Sequence, residues 1–183
     1  MSMIIFFGLA GSGKSTQAEL LADKMGWVHV SAGELLRMID DPLLKAAMEK
    51  GDLVDPTTVN KIIAYVYDKI RDKGSSIILD GYPRQLEQAQ WLLDNQKDYP
   101  VELAVLIDVP ESEIKRRLAL RAREDDTADA VDKRIKVFYE ETQPVIDAFE
   151  AQGIKVIKVD ARPPIEEVHQ KVMELVLKQW PSK

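Results

Sequence analysis

The stretch Gly8–Thr16, "GLAGSGKST", follows directly on the apolar run "MIIFF" of Met3–Phe7. Gly8, Gly13, Lys14 and Ser15 satisfy the spacing G-x-x-x-x-G-K-[ST], with a strand pattern before it and a helical pattern after it. Glycines let successive backbone N–H groups turn inward around phosphate oxygens, and a helix N-terminus behind them adds positive potential. Lys14 is placed to reach the outer phosphates of a nucleoside triphosphate, and Ser15 to stand beside Mg²⁺. Gly11, Ser12 and Thr16 complete the loop. The plain alternative is a glycine-rich turn with a solvated lysine, but a chance match in this strand–loop–helix context is rare. What receives the phosphate is the question the rest of the chain must answer.

Outward from the loop, five short apolar runs read as strands: Met3–Phe7, Val28–Val30, Ile77–Leu79, Leu103–Val109 and Ile154–Val159. Continuous apolarity without alternation marks strands covered on both faces, as in a parallel sheet. Helical spacing of apolar residues fills the gaps over Gln17–Met25, Thr57–Ile70, Glu111–Arg121 and Ile165–Leu177. A longer pattern, Thr127–Ala151, contains Pro144, which predicts a kink or break. Alternation of this kind predicts a doubly wound α/β fold with helices on both faces of a five-stranded sheet. No repeat or long linker divides residues 1–183, so a single domain with inserted flaps is expected.

Composition narrows the function classes. The chain has 183 residues and no cysteine, which excludes disulfides and thiolate zinc sites. Its net charge of −6 offers no basic field for nucleic acid. The N-terminus lacks a basic region before its short apolar run, and no stretch reaches the ~20 apolar residues of a membrane span. A cytoplasmic location without membrane or nucleic-acid partners is the expectation.

A second motif, "IILDGYPR", ends a strand at Leu79 and sets Asp80 at its carboxyl edge. Ligands of open α/β sheets bind there, and a carboxylate at that edge can hold Mg²⁺ through water. Alone, Asp-Gly before Tyr-Pro is more often only a turn. In order, however, the chain also carries "HVSAGELLR", "GDLV", "LDGYPRQLEQAQ", "RLALRAREDDTADAVDKRI" and "QPVI". The set resembles the nucleoside monophosphate kinases, and adenylate kinases most closely, from Gly8 to about Val168.

The resemblance implies the strand order 2-3-1-4-5, a monophosphate-binding flap over about 31–60, and a minimal lid over about 121–127. It implies ATP and AMP as substrates with ADP as product, Mg²⁺ and no zinc, and a monomer. By the same resemblance, Lys14 and its loop hold ATP, with Arg117, Arg121 and Pro163 on the ATP side. Arg37 and Arg84 hold the acceptor's α-phosphate beside Gly81, while Ala32, Leu53 and Val54 belong to the acceptor pocket. Gln88 reads the base, and Arg123 and Arg134 reach the acceptor and the transferring group. The catalytic set is then Lys14, Arg84, Arg121, Arg123 and Arg134, with Ser15 and Asp80 toward the metal.

Phosphoryl transfer suits arginine-rich sites. Charge spreads over equatorial oxygens in the transition state, so positioning and electrostatics carry the catalysis, and guanidinium binds phosphate bidentately. "KRRLALRAR", Lys115–Arg123, supplies such bases in an acidic chain, and Arg117 and Arg121 share a helix face. Arg116 reads as a surface residue paired with Glu113. Asp125 and Asp126 read as caps of the helix beginning near Thr127. His29 and His169 read as packing or surface residues, and Trp27, Trp91 and Trp180 as too scattered for a stacking platform.

The chain also departs from the family. Leu9-Ala10 stands where a proline is common, and Ser15 where a glycine is usual. Only Ala122 separates Arg121 from Arg123, which leaves the lid close to a bare turn and makes the arginines themselves the closure. Gln88 matches an adenine-reading glutamine, whose amide pairs in two-pronged fashion. Ala32, by contrast, stands where adenylate kinases usually carry threonine, and "SAGELLR" is similar to UMP/CMP kinases. AMP is the first expectation and a pyrimidine monophosphate the second. A nucleotide-dependent switch is disfavoured, because Asn60-Lys61 continues with Ile62-Ile63 instead of N-K-x-D.

Overall fold

Met3–Phe7 forms the central strand, β1, with every residue buried. The computed structural model describes residues 2–121 and 126–180. β1 pairs in parallel with β3 (Ile77–Asp80) on one side and β4 (Val101–Asp108) on the other. β2 (Val28–Ser31) and β5 (Lys155–Asp160) form the edges, giving the order β2-β3-β1-β4-β5. This is the order that the resemblance implied. Full burial holds for β1 and β3, whereas β5 alternates, with only Ile157 and Val159 buried. An edge strand has one partner and leaves part of its surface to water.

Residues of β1 alternate between two cores. Ile4 and Phe6 pack with α1 (Lys14–Met25), α6 (Glu111–Arg121) and α9 (Ile165–Gln179) through Leu21, Leu118 and Val172. Met3, Ile5 and Phe7 pack with α4 (Pro56–Arg71), α5 (Leu86–Asp94) and α8 (Gln143–Ala151) through Ile63, Leu92 and Phe149. The sheet is therefore wound on both faces. The chain leaves β1 first toward β3 and later toward β4, so a crevice opens at the carboxyl ends of these strands. The phosphate loop and Asp80 both end there.

Between β2 and α4 lie α2 (Ala32–Met38) and α3 (Pro42–Glu49), inside the span expected to form a flap. No residue of α3 is buried. Its start is written in the sequence nonetheless: Asp41 accepts from the Leu43 and Leu44 N–H groups at 2.8 and 3.3 Å, with proline next in the chain.

Pro144 does not break its helix. α7 (Ala128–Val137) runs into a π-turn, Phe138–Thr142, and on into α8. The wider turn absorbs the missing proline N–H without a gap. The cap of α7 is the Thr127 hydroxyl, which accepts from Ala130 N–H at 3.3 Å. Asp126 is not the cap, and Asp125 lies outside the described residues. Two of the tryptophans meet in the fold, since Trp27 and Trp180 come within 4.5 Å between ring centroids. Their partly buried rings pack against the core under α1 and α9. Among the described residues, no helix is long and apolar enough to cross a membrane.

Candidate active site

The phosphate loop turns on glycines at positive φ. Gly11 (φ 83°) leaves no room for a side chain, because an added Cβ would lie 2.8 Å from Leu118 Cγ. Gly13 (φ 94°) precedes α1, and no side chain among the described residues caps that helix. Its first N–H groups are thus available to a ligand. Gly11, Gly13, Lys14, Ser15 and Thr16 line a cleft of about 370 Å³. Ser12 is placed differently. It is 1% exposed, its hydroxyl has no partner among the described residues, and its carbonyl accepts from Arg117 Nη1 at 3.2 Å.

Across the loop stands Asp80, with Oδ1 3.9 Å from Lys14 Nζ and Oδ2 3.2 Å from His29 Nε2. Burial alone would raise the Asp80 pKa. The hydrogen bond from His29, the charge of Lys14 and a hydrogen bond from Ser15 bring it down to about 2. Burial lowers Lys14 to about 8; Asp80 opposes that, and Arg84, Arg121 and Arg37 add to it. Both groups are tuned by one feature: positive charge gathered in a place sheltered from water. His29 therefore does more than the packing or surface role read for it. It reaches Asp80 from the neighbouring strand, a contact invisible in a histidine lacking metal-ligand spacing.

Arg37, Arg84, Arg117, Arg121 and Arg134 all line the same cleft, as do Leu53, Val54, Gly81 and Gln88. The pKa of Arg84 is lowered by burial; Asp80 opposes this, while Arg134 and Arg37 reinforce it. Its Nε donates to the Gly81 carbonyl at 3.0 Å, and its backbone N–H to Gln88 Oε1 at 2.7 Å. That bond orients the Gln88 amide, which is 3% exposed. Gln85 Nε2 donates to the Val54 carbonyl at 3.1 Å, tying the "GDLV" segment to the start of α5.

Arg117 joins three parts of the fold. It donates to Glu113 Oε1 at 2.8 Å, to Ser12 O, and to the Ala161 carbonyl at 2.7 Å. Arg116 pairs with Glu113 through two bonds of 2.7 Å, as read from the sequence. Arg121 and Arg134 meet at Asp126, whose Oδ1 lies 2.6 Å from Arg121 Nη2 and 3.1 Å from Arg134 Nη1. Arg134 Nη2 also donates to the Met48 carbonyl of α3 at 3.2 Å, and Lys133 pairs with Asp52.

Two expected site residues are not in this assembly. Ala32 is 2% exposed in the apolar core and does not line the cleft, although Ser31 and Gly33 beside it do. The start of α2 points its methyl inward. Pro163 is exposed outside the cleft, and the contact there runs through the Ala161 carbonyl instead. Arg123 lies outside the described residues, as does most of the expected lid (122–125).

No group of three or more potential metal ligands occurs among the described residues. Asp80 with Ser15 beside it still fits a hard cation held largely by water and substrate phosphates, the usual habit of Mg²⁺.

A phosphate loop, a buried carboxylate and converging arginines on a sheet ordered 2-3-1-4-5 set this chain among the phosphoryl-transferring kinases. The family model for adenylate kinase matches residues 6–154. The chain belongs to the adenylate kinase family. The adenylate kinase of Prochlorococcus marinus (strain MIT 9211) is 36% identical, over 91% of this chain and 92% of its own length. That of Thermobifida fusca (strain YX) is also 36% identical, over 93% and 95%. That of Thermotoga petrophila is 33% identical, over 96% and 97%. As a member of the adenylate kinase family, this chain is a nucleoside monophosphate kinase.

Proposed function

We propose that the chain catalyses reversible transfer of the terminal phosphoryl group of ATP to AMP, giving two ADP. One observation supports the reading: a single cleft is lined by two groups of residues suited to phosphate. Lys14 and the loop form one set, and Arg37 and Arg84 form the other.

ATP enters with its outer phosphates on the N–H groups of Gly13–Thr16 and on Lys14. Arg117 holds the loop carbonyl and the Ala161 carbonyl together on that side. AMP lies under the flap, its α-phosphate on Arg37 and Arg84, its sugar and base along Leu53 and Val54, and its base edge at Gln88. Arg121 and Arg134 lie between the two, where charge builds on the transferring group, and Arg123 belongs with them. Ser15 and Asp80 would hold Mg²⁺, which when bound neutralises charge on the ATP phosphates. No side chain needs to act as a nucleophile, since the AMP phosphate itself attacks and the arginines hold it in line.

Adenine is favoured over a pyrimidine on two grounds. Gln88 offers both a donor and an acceptor at the base end, and Ala32, the residue that pointed to pyrimidine kinases, has no access to the cleft. An ADP-release assay with Mg-ATP against AMP, CMP, UMP, GMP and water tests the reading. AMP should exceed every other acceptor by at least about tenfold. CMP or UMP on top would overturn it, and water matching them all would refute the kinase roles given to the arginines.

A further inference from the structure

Arg84 is held at three points. Two belong to its own turn, the bonds to Gly81 O and Gln88 Oε1. The third comes from a distant helix, since the Arg84 carbonyl accepts from Thr142 Oγ1 at 3.1 Å. Thr142 is 5% exposed and is the last residue of the π-turn Phe138–Thr142.

The π-turn explains how that hydroxyl arrives there. Pro144 has no N–H for the Glu140 carbonyl, and its ring would crowd that carbonyl. The chain widens by one residue, and Gln143 N–H donates to Phe138 O, five residues back. The extra residue changes which side chains face inward. Glu140 and Glu141 stay exposed while Thr142 turns in. A helical threonine commonly bonds back to a carbonyl of its own preceding turn, whereas this one bonds to Arg84. Phe138 and Thr142 line a cavity of about 50 Å³ together with Lys14, Gly81, Arg84 and Arg134.

We propose that Thr142 is a positioning residue for the monophosphate pocket: its hydroxyl, turned inward by the π-turn, fixes the Arg84 main chain and thereby aims the guanidinium. The proposal rests on the reading that Arg84 holds the acceptor's α-phosphate. Without the hydroxyl, a partly buried carbonyl loses this donor and the backbone shifts to find another. A small displacement of a phosphate-holding arginine is enough to weaken binding of the acceptor.

The test compares Thr142→Val, which keeps the shape, with Thr142→Ser, which keeps the hydroxyl. Both are assayed for transfer from Mg-ATP to AMP, with each substrate varied, beside Arg84→Ala and the Arg84→Ala/Thr142→Val pair. Thr142→Val should raise the AMP KM about 5–20-fold and leave the Mg-ATP KM within about twofold. Thr142→Ser should stay within about threefold of the parent. On the Arg84→Ala background, the valine should add less than about twofold, because the group it aims is gone.

An unchanged AMP KM in Thr142→Val overturns the proposal, as do equal rises in both KM values or multiplying effects in the double variant. Should the valine variant fail to fold, Thr142→Ala removes the same bond and carries the same expectations. If Arg84→Ala leaves the AMP KM unchanged, the assignment of Arg84 falls and this proposal with it. If Arg84→Ala raises it and Thr142→Val does not, the positioning role alone is lost.

Discussion

Asp126 and Arg121 form a short ion pair, with Oδ1 2.6 Å from Nη2 and the Asp126 side chain only 1% exposed. Arg134 shares the same carboxylate at 3.1 Å. Two arginines that would otherwise repel are thus held together at the cleft by one buried acid. Asp126→Asn keeps the shape and removes the charge. It should lower kcat about 10–100-fold, because the two arginines proposed to meet the transferring group no longer converge. Thermal unfolding should show a loss of about 1–3 kcal/mol. Unchanged kcat with a lowered Tm would leave Asp126 a purely structural role.

Lys14 predicts both activity and pH behaviour. Lys14→Ala should reduce transfer at least about a thousandfold, since phosphate charge loses its main point cation. The Lys14 pKa of about 8 also has a sign. Between about pH 8 and the ordinary lysine range, the unfolded chain keeps a proton that the folded chain has released. Stability from this group therefore rises with pH across that window, by on the order of 3 kcal/mol. Bound triphosphate should restore the proton. Calorimetry at pH 8.5, in buffers of different ionisation enthalpy, should show proton uptake on Mg-ATP binding that Lys14→Met lacks.

The ion pair of Lys133 with Asp52 connects α7 to the segment after α3, next to the Arg134 bond to Met48 O. Gly51 sits close beneath, where an added Cβ would be 3.2 Å from Ala130 O. These contacts hold the side of the cleft proposed for AMP against α7. Both charges are partly exposed, so the pair adds only about 0.2–1 kcal/mol. Asp52→Lys should raise the AMP KM about 3–10-fold at low salt, and less at high salt. The exchange Asp52→Lys/Lys133→Asp should recover most of the loss in the same assay.

Glu113 grips Arg116 and Arg117 together, and these hydrogen bonds hold its carboxyl down at about 2 against a small opposing effect of burial. Arg117 in turn binds Ser12 O and Ala161 O, beside the end of the cleft proposed for ATP. Glu113→Gln should raise the Mg-ATP KM about 2–5-fold and leave the AMP KM alone. Steady-state kinetics with each substrate varied separates the two. A rise in the AMP KM instead would show that Arg117 serves the acceptor.

The local sequence determined the sheet, the phosphate loop and the arginine inventory. Short-range chemistry sets each of them: burial on both faces makes a strand such as Met3–Phe7, glycines at 11 and 13 permit the positive φ of the loop, and Pro144 forbids a regular turn. The short helices α2, α3 and α5 were not read from the sequence, and α3 has no buried residue to announce it. Tertiary structure alone decided the pairings that tune the site. His29 meets Asp80 because β2 lies beside β3, Thr142 meets Arg84 because a π-turn shifts one helix face, and Asp126 meets two arginines from separate helices. It also placed Ala32 in the core, where a motif suggested a pocket residue. Spacing along the chain records periodicity and turns, but a contact between distant residues exists only once packing fixes which faces meet.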